Sequence, residues 1–187
     1  MAVAIAVTAG PAGAERLPVL SSDDESAALA NRISAVADVV ATMDARMGRI
    51  EVFLPPRPVT PPSPVYPALL SVQEAATALL ATSGAITCAT AGTTDVSGGE
   101  TIADDDGRAE DTSSEGIVEQ LGAVATVLGQ ANARLTGIAA LVGTTPSTAE
   151  IEAAGAVWAQ AAAIFNRTAD LLANAEYTPP SPICPAG

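Results

Sequence analysis

Apolar residues fall alternately four and three apart along the first long stretch of this chain: Leu29, Ile33, Val36, Val40, Met43, Met47, Ile50 and Leu54. That rhythm keeps one apolar stripe facing a partner over many helical turns, as in the seam of a coiled coil. It predicts a helix from about Asp23 to Leu54, stopped by Pro55 and Pro56, which cannot continue the hydrogen-bond ladder. Val39, Phe53, Ala30 and Ala37 widen the stripe. Arg46 and Glu51 flank it where they would pair between parallel helices in register.

Three further segments carry a helical period. Val72, Ala76, Leu79, Ser83 and Ile86 predict a second helix from about Val72 to Thr90. Ile117, Leu121, Val124, Leu128, Ala131, Leu135, Ile138 and Val142 predict a third, from about Ser113 to Val142, with Gly143 as its stop. Ile151, Trp158, Phe165 and Leu172 are seven apart, and Val157, Ile164 and Leu171 run beside them. This double stripe predicts a fourth helix, about Thr148 to Glu176, that touches two or more neighbours. The link Gly143 to Ser147 is short, which predicts an antiparallel hairpin of helices three and four.

Each helical stretch is preceded by Ser/Thr-x-x-Glu: Ser22 with Glu25, Ser71 with Glu74, Thr112 with Glu115, and Ser147 with Glu150. In such a box the hydroxyl and the carboxylate each satisfy a backbone N–H left open at the helix start. The carboxylate also lies where the helix dipole favours negative charge.

Between and beyond the helices the composition changes. Thr60-Pro-Pro-Ser-Pro-Val-Tyr-Pro67 and Thr178-Pro-Pro-Ser-Pro-Ile-Cys-Pro185 share six of eight residues. Proline at that density predicts stiff extended straps without backbone donors. Residues 93–111, rich in Gly, Asp, Ser and Thr, read as an exposed acidic loop. Asp104-Asp105-Asp106-Gly107 sits in the wrong register for an EF-hand, because the glycine would place Ile102 at the first ligand position. The expected organisation is an N-terminal extended arm over 1–21, a long heptad helix over 22–54 and a proline-rich strap over 55–67. Helices two to four with the acidic loop follow over 68–176, and a proline-rich arm closes the chain over 177–187.

Composition narrows the chemistry. Of 187 residues 49% are apolar, but only 3% are aromatic, so the core is built largely of alanine and aliphatic side chains. The net charge is −13, and all eight basic residues are arginine. An acidic surface without a basic patch repels a phosphate backbone, which argues against direct nucleic-acid binding. The absence of histidine removes Ser-His-Asp and Cys-His sites and the Glu-x-x-His dimetal site. The absence of lysine removes the Walker A loop and Schiff-base chemistry. No motif calls for a cofactor or a metal, and the expectation is a protein that is not an enzyme. Asn166-Arg167-Thr168 fits a glycosylation sequon but falls inside a predicted helix, where chance explains it better. No apolar run approaches the length of a bilayer span. Ala2 to Ala9 is a short apolar run ahead of Ala12-Gly13-Ala14, but no positive charge precedes it, so an ordered arm is favoured over a signal peptide. Cys88 and Cys184 are a candidate disulfide pair, or two idle thiols.

These features predict an all-α, four-helix, coiled-coil-like bundle with proline-rich extended arms, in an oligomer. Leu29, Ile33, Val36, Val40, Met43, Met47, Ile50, Leu54, Leu121, Leu128, Leu135, Trp158, Phe165 and Leu172 are the expected helix or oligomer interface. The expected role is a structural subunit of a large multi-copy assembly such as a virus or phage particle. It would be a decoration, fibre or connector protein located in the virion, with itself and other structural proteins as partners. The alternative is a secreted or envelope-associated helical bundle that binds a partner and carries one disulfide.

Overall fold

A computed structural model of the chain describes residues 22–54, 58–89 and 113–172. Four helices fill them: α1 (Ser22–Glu51), α2 (Val65–Cys88), α3 (Ser114–Val142) and α4 (Thr148–Leu172). No strand occurs among the described residues. The expected arms over 1–21 and 177–187 and the acidic loop over 93–111 lie outside them.

α1 packs on α3 and α4, and α2 also packs on α3 and α4. The helices therefore stand at the corners of a square in the order α1, α4, α2, α3, with α1/α2 and α3/α4 across the diagonals. Three contacts set their directions. The Val59 N–H, just past the end of α1, donates to the Leu171 carbonyl at the end of α4 over 2.9 Å. Arg167, near that same end of α4, reaches Asp44 and Glu51 of α1. These two contacts bring the C-termini of α1 and α4 to one end of the bundle, where α2 begins. The Thr82 hydroxyl meets Asn132 Oδ1 at 2.8 Å. Thr82 lies about 25 Å down α2, and Asn132 about 27 Å down α3, at 1.5 Å per residue. That contact fits a parallel pair, and the short link from Val142 to Thr148 requires one, because it ends α3 where α4 starts, opposite the end where α2 begins; residues 90–112 therefore join opposite ends of the bundle. The order is up, down, down, up, a bundle with one long crossover.

The short link from Gly143 to Ser147 does reverse the chain, but α3 and α4 lie across the diagonal rather than side by side. Five residues reach about 17 Å. The diagonal of a square with sides of about 10 Å is shorter than that. The link therefore permits either arrangement, and the lateral packing of α4 against α1 and α2 selects the diagonal one.

Helix starts follow the sequence unevenly. At α4 the box is complete. The Ser147 N–H donates to Glu150 Oε2 at 2.6 Å, and the Glu150 N–H donates back to Ser147 Oγ at 3.4 Å. Glu150 is buried there. At α3 the cap is one residue later than expected: Ser113 Oγ accepts from the Gly116 N–H. At α2 the Ser71 box is not used. Ser71 lies one and a half turns inside the helix, where its hydroxyl donates to the Pro67 carbonyl. The helix begins at Val65, within the stretch expected to be a strap. Pro64 precedes it and Pro67 sits in its first turn, where a missing N–H costs no helical bond. The described part of that stretch, 58–64, is a turn rather than an extended rod, with a cis Pro61–Pro62 bond and the Ser63 N–H donating to Thr60. At α1, Ser22 is itself the first helical residue. Gly143 ends α3 with φ 74°, as expected for a glycine stop.

α2 is long and apolar enough to cross a membrane by length and composition. That differs from the sequence expectation, because Ala, Leu and Val fill the positions between its periodic residues. Here half of it is buried within the bundle, as a core helix is.

Candidate functional site

The expected interface residues meet inside one chain. Leu29, Ile33, Val36, Val40, Met43, Met47 and Ile50 are buried along α1. Leu121, Leu128 and Leu135 are buried along α3, and Phe165 and Leu172 along α4. Leu54 and Trp158 are half-buried against the same core. The heptad stripes are thus covered by the chain's own helices, because a four-helix square offers each stripe two neighbours. Glu51 pairs with Arg167 of α4 at 2.8 Å. Within the sequon, the Thr168 side chain is fully buried and donates to the Ile164 and Phe165 carbonyls.

The looser seam of the square is α1/α3. It opens into a cleft of about 380 Å³. Ala35, Val36 and Val39 of α1 and Val127, Ala131 and Ile138 of α3 form its apolar lining. Arg32, Arg134 and Gln130 supply its polar edge. Arg32 immediately precedes Ile33 in the α1 stripe, and Arg134 immediately precedes Leu135 in the α3 stripe. Because α1 and α3 run antiparallel, the two guanidinium groups come to the same end of the cleft. Neither side chain was a candidate site residue in the sequence, where Arg134 counted only as an interruption of the apolar run from Gly122 to Val142. Their signal was position: each immediately precedes a seam residue. An apolar lining with two cations at its edge suits a segment that is apolar on one side and carries a carboxylate.

Cys88 closes α2 and is disulfide-bonded. Cys184, the chain's other cysteine, lies outside the described residues. Among the described residues, two buried side-chain donors have no hydrogen-bond partner: Gln73 Nε2 on α2 and Trp158 Nε1 on α4. Among the described residues no group of three His, Cys, Asp or Glu side chains could hold a metal ion. Gly122 and Gly129, spaced as if to admit a close backbone, have open space where a Cβ would stand.

Compared with known protein families, with curated proteins and with solved structures, the chain matches none.

Proposed function

We propose that this chain is a non-enzymatic helical bundle that binds a partner in an oxidising setting, secreted or associated with the cell envelope. The observation that carries this reading is the disulfide at Cys88. Such bonds persist outside the reducing cytosol and are rare within it. A bundle whose heptad stripes are internally covered needs no second copy to fold. Its free binding surface is the α1/α3 cleft, and the partner is an apolar segment bearing acidic groups that pair with Arg32 and Arg134. In situ trapping of thiols with a polymer-tagged maleimide, combined with cell fractionation, tests the setting. The expected result is a bridged Cys88 in the envelope or extracellular fraction. Free thiols in the cytosolic fraction would overturn it.

A second reading is the structural subunit of a multi-copy assembly, a virus or phage particle in particular. One observation favours it. Val52 and Phe53 are exposed at one end of the bundle, and Leu141 is exposed at the other. Apolar side chains at both ends of a rod suit head-to-tail stacking, which generates fibres when the rotation does not close. Light scattering across a concentration series separates the two readings. A monomer at all concentrations supports the first, and open-ended growth that Val52→Asp abolishes supports the second.

A further inference from the structure

The two walls of the α1/α3 cleft repeat one spacing in opposite chain directions. On α1, Ala35 and Val39 stand three and seven residues after Arg32. On α3, Ala131 and Val127 stand three and seven residues before Arg134. Because α1 and α3 run antiparallel, both sets of steps lead the same way along the bundle. Arginine stands across from arginine, alanine from alanine and valine from valine. Only the fourth residues differ, Val36 on α1 and Gln130 on α3. Such offsets keep to one flank of a helix, so the walls run along the helix axes. From the arginine pair to the valine pair is about 10–11 Å. Only Ile138 lines the cleft beyond the arginines.

The charge at this cleft is the reverse of the chain's. The whole chain carries −13, yet the cleft is lined by two cations and no carboxylate. α3 has no acidic residue from Gln120 to Val142. On α1, Asp38 is the acid that falls within the span of the wall, and it is turned about 120° from Arg32, away from the lining. Among the described residues neither Arg32 nor Arg134 meets a carboxylate, whereas Arg167 is held by Asp44 and Glu51.

We propose that the α1/α3 cleft binds a free aliphatic carboxylate of one medium-length chain, with its head between Arg32 and Arg134 and its tail running toward Val39 and Val127. This rests on the reading of the cleft as the binding surface and narrows the occupant to a small molecule. Size supports it. The 380 Å³ of the cleft lies within the roughly 300–1,000 Å³ of small-molecule sites, which are mainly apolar with a few convergent polar groups. A three-turn helix, about 10 Å across and about 16 Å long, exceeds that volume about threefold. C–C bonds of about 1.5 Å advance an extended chain by about 1.25 Å per carbon, so about eight carbons reach the valine pair and a few more pass beyond it. The small side chains of Ala35 and Ala131 leave width for methylene groups just past the head. Val39 and Val127, both half-buried, supply apolar contact at the far end. The head follows from the cations. A carboxylate has two acceptor oxygens, and each guanidinium presents a planar fork of N–H donors, so one head can bridge both. An alcohol head leaves the pair of charges uncompensated, and an ammonium head is repelled.

Isothermal titration calorimetry of the full chain with decanoate, below the concentration at which decanoate forms micelles, tests this. Saturable binding of one decanoate per chain is expected. Decanol and decyltrimethylammonium have the same chain without the negative charge, and are expected to bind about tenfold or more weakly. Butyrate, too short to reach the valine pair, is expected to give no measurable heat. Arg32 and Arg134 are exposed, so Arg32→Gln and Arg134→Gln should keep the fold, seen as unchanged helical circular dichroism. Each is expected to weaken decanoate about tenfold or more, as for loss of a charge-assisted hydrogen bond. Arg46→Gln, on α1 but outside the cleft, should leave binding unchanged. Absence of decanoate binding would overturn the proposal. So would equal binding of decanol, or binding that survives both Arg32→Gln and Arg134→Gln. A synthetic amphipathic helical peptide of leucine and glutamate, titrated in parallel, separates this inference from the reading beneath it. If the peptide binds in a manner that needs Arg32 and Arg134 while decanoate does not bind, the inference falls and the cleft remains a partner surface. If neither binds, both fall.

Discussion

Replacing the outward glycines of α3 by alanine is expected to stabilise the protein. Gly122, Gly129 and Gly137 are helical, and an added Cβ meets nothing within 4 Å at any of them. The substitution therefore creates no clash and removes no contact. What it changes is the backbone: alanine is favoured over glycine in an exposed helix interior by about 0.8–1 kcal/mol, chiefly because the unfolded chain has fewer states to lose. The three sites are about 10–12 Å apart along the helix and share no partner, so their effects should add. The triple variant is then expected to gain about 2–3 kcal/mol. For a chain of this size each kcal/mol raises Tm by about 2–4 °C, giving about 4–12 °C in all. Differential scanning calorimetry and urea titration measure it, and the urea slope should not change. Gly143→Ala is the control of opposite sign. Its φ of 74° and ψ of −149° form a conformation that alanine rarely adopts, so the same change should cost about 1–3 kcal/mol. A Tm that falls or stays level in any of the three α3 single variants, with helicity unchanged, would refute the packing described for α3. It would mean that another surface already occupies the space outside those glycines.

Three more outcomes follow from the core and the caps. Leu135→Ala removes a fully buried side chain from the α3 seam and should cost about 2–5 kcal/mol in urea denaturation. Glu150→Ala takes the acceptor from both the Ser147 N–H and the Ser147 hydroxyl, and should cost about 1–2 kcal/mol. Glu74→Ala, three residues past a serine that α2 does not use as a cap, should stay within about 0.5 kcal/mol by the same assay.

The candidate surfaces were less legible than the helices. The stripe from Leu29 to Ile50 could be read directly, since a four-three period has one structural solution. Whether that stripe meets a second chain or the same chain is a different matter. Ile33 and Leu128 look alike in either case, and only the square packing of α1 to α4 covers both within one molecule. The cleft edge at Arg32 and Arg134 needs two residues about a hundred positions apart to reach one end of a seam, which an antiparallel α1/α3 pair achieves and a linear reading does not reveal.

Local chemistry in the chain was sufficient to decide four helices, the alanine-rich core, the Gly143 stop and the Ser147–Glu150 box, because each depends on residues within a turn or two of one another. Tertiary packing decided the diagonal placement of α3 and α4, the parallel run of α2 and α3, and the start of α2 at Val65 ahead of its expected box at Ser71. It also brought Cys88 to the far end of the bundle from Leu172. Those outcomes turn on which apolar faces can be buried together, and burial is a property of all four helices at once rather than of any one segment.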